Sequence, residues 1–154
     1  FSKIKRPITS FLKQAIENEI DLKITDQSAW DNFAKNSIDN KNKLNKLIDT
    51  LLSEGKSIFG YGASARSSTV LNFCQLDSSK IKYIADKSPY KHNKYSPGTD
   101  ILIVPPTYIA QYKPDVIFIL AWNFKSEILE WLDSVNWHGE ILLPLPDSPK
   151  LIQF

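Results

Sequence analysis

Methionine is absent from all 154 residues, position 1 included. Translation begins with that residue, so the chain is expected to be part of a longer polypeptide. Cysteine occurs once, as Cys74, which excludes an intramolecular disulfide. Its place in the apolar run Val70 to Leu76 makes it a core side chain rather than a nucleophile, and suits a reducing cytoplasm. The two histidines, His92 and His138, stand far apart, so no metal-ligand spacing occurs. A P-loop and a GxSxG elbow are also missing. No apolar stretch approaches the roughly 20 residues of a membrane span, and Phe1 to Lys5 do not read as the start of a signal peptide. The net charge of +2 is spread along the length, unlike the stripe of a nucleic-acid binder or the arm of a membrane protein.

Glycine is missing from the first 54 residues, where Pro7 is the lone proline. This part reads as helix. Ile8, Phe11, Leu12, Ala15, Ile16 and Ile20 recur at three- and four-residue spacing, with Pro7 in the first turn. A second helix is expected from Asp26 or Ser28 to Gly55, with Trp30, Phe33, Ala34, Ser37, Ile38, Leu44, Leu47, Ile48, Leu51 and Leu52 as its stripe. Residues 1–54 are thus expected to be a helical lead-in packed on the domain. The Trp30, Phe33 and Ile38 face is expected to meet the domain's own sheet, with docking to a neighbour as the alternative.

From Lys56 the period changes. Strands are expected at 57–60, 81–85, 101–104, 116–121 and 140–143, with helices at 65–75, 106–111 and 124–135 between them. This alternation predicts an α/β fold: a Rossmann-like, doubly wound, mainly parallel five-stranded sheet of order 3-2-1-4-5 over residues 55–154.

The segment Gly60-Tyr61-Gly62-Ala63-Ser64-Ala65 follows the first strand and opens a helix, matching G-x-G-x-x-G/A. In such a fingerprint Gly60 allows the turn, Gly62 admits a pyrophosphate, and the helix start offers free amides to an anion. Arg66 and neighbouring hydroxyls add donors. Asp86 ends the second strand 24 residues after Gly62, close to the roughly 20-residue spacing of a ribose-binding acid. The next loop carries Lys87, Lys91, His92 and Lys94, interleaved with Tyr90 and Tyr95, at the sheet edge where ligands of such folds bind. Trp122 and Asn123 end the fourth strand at the same edge, with Asn123 either a helix cap or a ligand contact. The candidate substrate-binding residues are therefore Gly60, Tyr61, Gly62, Ala63, Ser64, Arg66, Asp86, Lys87, Lys91, His92, Trp122 and Asn123. No catalytic or metal-binding residue is expected here.

The blocks Gly60-Tyr-Gly-Ala-Ser-Ala-Arg-Ser-Ser-Thr69 with Leu71-Asn72-Phe73, Ile84-Ala-Asp-Lys-Ser-Pro-Tyr-Lys91, Tyr95-Ser-Pro-Gly-Thr99, Lys113-Pro-Asp-Val116 and Ile119-Leu-Ala-Trp-Asn123 occur in one order. Together they resemble the C-terminal domain of the sugar C-methyltransferases, where GYGAPAKGNTLLNY, DRxPxKxG, PGT, PD and LxWN follow one another. Ser64 stands where that family has Pro, Ser67 where it has Gly, Ala121 where it has Pro, and Asn93 where Gln is usual. The resemblance implies a domain that helps hold a nucleotide diphosphate sugar and is inactive by itself. It also implies that S-adenosylmethionine and zinc belong to preceding domains of the same polypeptide, with no cofactor bound here. The glycine bend and Asp86 alone would favour an independent NAD- or CoA-binding domain, and a docking domain without ligand is the third alternative.

Overall fold

A computed structural model describes residues 8–154 of the chain. They fall into two units, one up to Asp39 and one from Asn40 to Phe154.

In the first unit, α1 (Ser10–Asp21) is capped by Thr9, whose hydroxyl accepts the Leu12 N–H at 3.2 Å. The helix therefore starts later than its apolar stripe, and Ile8 lies outside it; Pro7 lies outside the described residues. No residue of α1 is buried. α2 (Gln27–Ser53) begins in this unit, and there Trp30, Phe33 and Ile38 are more than half exposed.

In the second unit the end of α2 turns its stripe inward, burying Leu44, Ile48 and Leu51. Gly55, at φ +78°, takes the left-handed conformation that follows the helix. The sheet then forms from β1 (Ile58–Tyr61), β2 (Tyr83–Ala85), β3 (Ile103–Val104), β4 (Val116–Ile119), β5 (Glu140–Leu143) and β6 (Lys150–Gln153). Its order is β3-β2-β1-β4-β5-β6. The first five strands are parallel in the anticipated 3-2-1-4-5 order, and the connecting helices are α3 (Ala65–Cys74), α4 (Thr107–Tyr112) and α5 (Lys125–Ser134). The fold is Rossmann-like α/β, with the crossovers such a sheet requires.

The expected five strands are six. β6 runs antiparallel to β5, pairing Glu140 with Gln153 and Leu143 with Lys150. Its apolar content is only Leu151 and Ile152, and it follows Pro144, Pro146 and Pro149. Alternation over four residues after a proline-rich turn is too weak a signal to register as a strand. β1 is also shifted one residue later than expected, which places Gly60 inside the strand rather than at the turn.

Strand residues alternate between two buried faces, as a sheet covered on both sides demands. Ile58, Ile84, Phe118 and Leu142 join Leu44, Ile48, Leu71 and Cys74 in one core. Phe59, Tyr61, Ile117, Ile119 and Ile141 join Ile109, Ile128, Leu132 and Trp137 in the other. Each fully buried aliphatic or aromatic side chain contributes about 1.5–3 kcal/mol. Cys74 is buried, and that burial pushes its thiol above its ordinary value, against a smaller opposing pull from Lys41.

At the amino edge of the sheet the Asp115 carboxylate accepts the Ser57 N–H at 2.8 Å and the Ser57 hydroxyl at 2.7 Å. These two bonds hold the Asp115 acid below the usual carboxylate range and tie the starts of β1 and β4 together. Among the described residues, no helix is long and apolar enough to cross a membrane.

Candidate binding site at the carboxyl edge

The bend between β1 and α3 lies at the carboxyl edge of the parallel strands. Gly62 has φ +97°, and its N–H donates to the Ala85 carbonyl at 2.7 Å. The Ala63 N–H donates to Asp86 Oδ2 at 2.7 Å. The Ser64 N–H donates to the Ser67 hydroxyl, and Ser64 Oγ accepts the Ser67 N–H at 3.3 Å, a reciprocal capping box.

The amides of Gly62, Ala63 and Ser64 are therefore satisfied from within. The physical reason is that a half-buried amide left without a partner costs about 1–3 kcal/mol. Here an acid at the end of the neighbouring strand β2 supplies the acceptor for Ala63. The space beside Gly62 is also filled, since a Cβ built there would overlap Ala121 Cβ and stand 3.3 Å from the Ala121 nitrogen. Gly60 is small for a related reason: a Cβ would lie 2.7 Å from Leu120 Cδ1 and 3.2 Å from Ile84 Cγ1. Both glycines are thus filled on the Cβ side, and Gly62 borders open space on the α5 side.

Asp86 is 7% exposed, and its carboxylate already has protein partners. Besides Ala63, its carboxylate accepts the Ser88 N–H at 2.8 Å and the Lys91 ammonium at 3.0 Å. Lys91 Nζ also donates to the Ala63 carbonyl at 2.7 Å, and His92 Nε2 lies 2.8 Å from the Asp86 carbonyl. Asp86, Lys91 and His92 thus brace the bend against the following loop.

Two clefts flank this brace. The first, of about 360 Å³, opens beside α3 and is lined by Ser64, Ser68, Tyr90, Lys91, Lys94 and Tyr95 among others. Lys94 makes no ion pair or side-chain hydrogen bond among the described residues, so its ammonium is available. The second, of about 240 Å³, opens beside α5 and is lined by Tyr61, Asp86, Lys87, Lys91, Phe124 and Glu127 among others. There Lys87 Nζ pairs with Glu127 Oε1 at 2.6 Å. Ser64 and Lys91 line both clefts.

The remaining predicted residues disperse. Arg66 is exposed on the first turn of α3 and lines neither cleft. Trp122 is half-buried against the core on the α5 side, and Asn123 is exposed. Asn123 does not cap α5, whose cap position is Phe124 without a side-chain bond, because a 3₁₀ turn over Trp122–Phe124 intervenes. Phe124, in the 3₁₀ turn, and Glu127, on α5, carry no site signal in the sequence; the sheet topology brings them to the edge.

Tyr61 is 3% exposed and its buried hydroxyl has no hydrogen-bond partner. Burial first, then the Asp86 and Glu127 carboxylates, push this phenol up to about 12. A raised value means that the folded state holds its proton longer than the unfolded chain. This contribution to stability is fully present below pH about 10 and is lost as pH climbs from there to about 12. Tyr61→Phe is expected to leave the melting temperature at neutral pH unchanged or higher, since it removes an unsatisfied polar group. It is also expected to flatten the alkaline loss between pH 10 and 12 in circular-dichroism melts. A lower midpoint at neutral pH would mean that the hydroxyl has a partner.

The sequence profile of the family described as "C-methyltransferase C-terminal domain" matches residues 2–146. C-methyltransferase NovU from Streptomyces niveus is 32% identical over 114 residues, covering 71% of this chain. The chain spans only about a quarter of that relative, 26% of its length. Among solved structures, UDP-D-quinovosamine 4-dehydrogenase from Vibrio fischeri is a loose likeness. Its TM-score is 0.45 at 18% identity, over 64% of this chain and 94% of that one.

Proposed function

Because the chain belongs to the C-methyltransferase C-terminal domain family, we propose that it holds a nucleotide-linked keto-sugar for a methyltransferase whose chemistry resides elsewhere in the same polypeptide. The reading is carried by the cleft beside α3, which the uncommitted Lys94 lines together with Ser64 and Ser68 at the carboxyl edge of a parallel sheet. That combination suits a diphosphate: a cation supplies charge and hydroxyls supply donors. The glycine bend's part is indirect, since it fixes α3 and the loop on either side of the cleft.

The reaction in this reading is methyl transfer to a sugar carbon beside a ketone, after a base elsewhere removes the proton. In this reading S-adenosylmethionine and zinc belong to other domains of the same polypeptide, which are the partner that this chain serves. The role of the chain is to bind and orient, and it is expected to transfer no methyl group alone.

Calorimetric titration of the chain with thymidine diphosphate glucose, uridine diphosphate glucose, NAD and coenzyme A tests the reading. Saturable heat with a nucleotide sugar is expected, weakened about tenfold by Lys94→Ala, the loss of one charge-assisted bond. Heat with NAD or coenzyme A alone would instead mark an independent dinucleotide-type domain. Silence with all four would favour a docking role.

A further inference from the structure

Two tyrosines flank the cleft beside α3 and have no evident occupation. Tyr90 is 84% exposed and Tyr95 is 62% exposed. Both line the cleft with Lys94. Neither ring packs on another aromatic ring or under a cation among the described residues, whereas Tyr61, Tyr83, Tyr108 and Tyr112 all have ring partners.

The loop that presents them is firmly built. Tyr90 sits in a 3₁₀ turn, Pro89–Lys91, anchored through the Lys91 bonds to Asp86 and Ala63. Tyr95 bridges to Leu102. Behind it, the buried Ser96 and Thr99 hydroxyls bond at 2.6 Å, and Ser96 Oγ accepts the Ile101 N–H at 3.0 Å. Asn72 of α3 donates to the Pro97 carbonyl at 3.0 Å, and Gly98, at φ +76°, leaves room for that amide. Aromatic rings held in water on a braced loop lose little freedom when a flat ligand stacks on them, so the stacking free energy is kept as affinity.

We propose that Tyr90 and Tyr95 seat the nucleobase of a nucleoside diphosphate, with the diphosphate running to Lys94. The inference deepens the nucleotide-sugar reading and rests on it. It assigns the base to stacking, which tolerates any base, rather than to hydrogen-bond readout.

The test compares inorganic pyrophosphate with the diphosphates of thymidine, uridine and adenosine, titrated calorimetrically into the full 154-residue chain. Each nucleoside diphosphate is expected to bind at least tenfold more tightly than pyrophosphate. Tyr90→Ala and Tyr95→Ala are each expected to lower nucleoside diphosphate affinity about tenfold and leave pyrophosphate affinity as it was. Tyr90→Phe and Tyr95→Phe should retain wild-type affinity, because the ring face remains. Both tyrosines are exposed, so these variants should fold, and unchanged melting temperatures check this. Equal affinity for pyrophosphate and the nucleotides would overturn the base seat and leave a diphosphate site standing. Alanine variants with wild-type nucleotide affinity would do the same, and would assign the exposed rings to a protein contact. Absence of binding by all four compounds would overturn the nucleotide-sugar reading together with this one.

Discussion

Gly62→Ala should destabilise the second unit by roughly 3–5 kcal/mol, the largest effect expected of any single added methyl group. Two costs combine. At φ +97° a non-glycine residue bears backbone strain of about 1–3 kcal/mol. The new Cβ also overlaps Ala121 Cβ, and overpacking a closed core typically costs about 1–3 kcal/mol. Ala121 cannot step aside easily, because its N–H is bonded to the Tyr61 carbonyl at 3.2 Å. A fall of about 10 °C or more in the thermal midpoint is expected. Adding Ala121→Gly should recover the steric part but not the backbone part. Gly60→Ala should be milder, since the atom it meets at 2.7 Å is the mobile tip of Leu120. A neutral Gly62→Ala would show that the bend is not closed by Ala121.

Asp86→Ala is expected to cost about 2–4 kcal/mol. Breaking a buried ion pair by removing one partner typically costs about 3–5 kcal/mol, and the Lys91 side chain, 41% exposed, regains part of that from water. The Ala63 and Ser88 amides lose their acceptor in the same step. Asp86→Asn should be less costly, because its amide oxygen can still accept from Ala63. If Asp86 is a brace, Asp86→Asn leaves nucleotide affinity within about twofold of wild type, while urea denaturation shows the loss of stability. A large loss of affinity with little loss of stability would return Asp86 to the ribose role suggested by its spacing.

The parallel order of β3-β2-β1-β4-β5 was legible because Phe59, Ile84, Val116–Ile119 and Ile141 sit in short apolar runs separated by helical ones. β6 was hidden by its shortness and its prolines. At the bend, the motif marks the turn and the acid, and the structure bonds the one to the other. Spacing along a chain places Asp86 near Ala63 and says nothing of whether the carboxylate faces a ligand or the turn itself. The sequence puts Lys94, Tyr90 and Tyr95 in a loop at the ligand edge and carries no sign that the loop is rigid. The Asn72 bond to Pro97, which joins α3 to the loop, and the buried bonds of Ser96 within it show that the loop holds a fixed shape.

Backbone amide shifts of the ¹⁵N-labelled chain, followed as thymidine diphosphate glucose is added, test most directly where the ligand lies. Shifts should concentrate at residues 64–68 and 90–95, around the cleft beside α3. Saturable shifts confined to Lys87, Phe124 and Glu127, or an unchanged spectrum at millimolar ligand, would contradict a diphosphate site at Lys94.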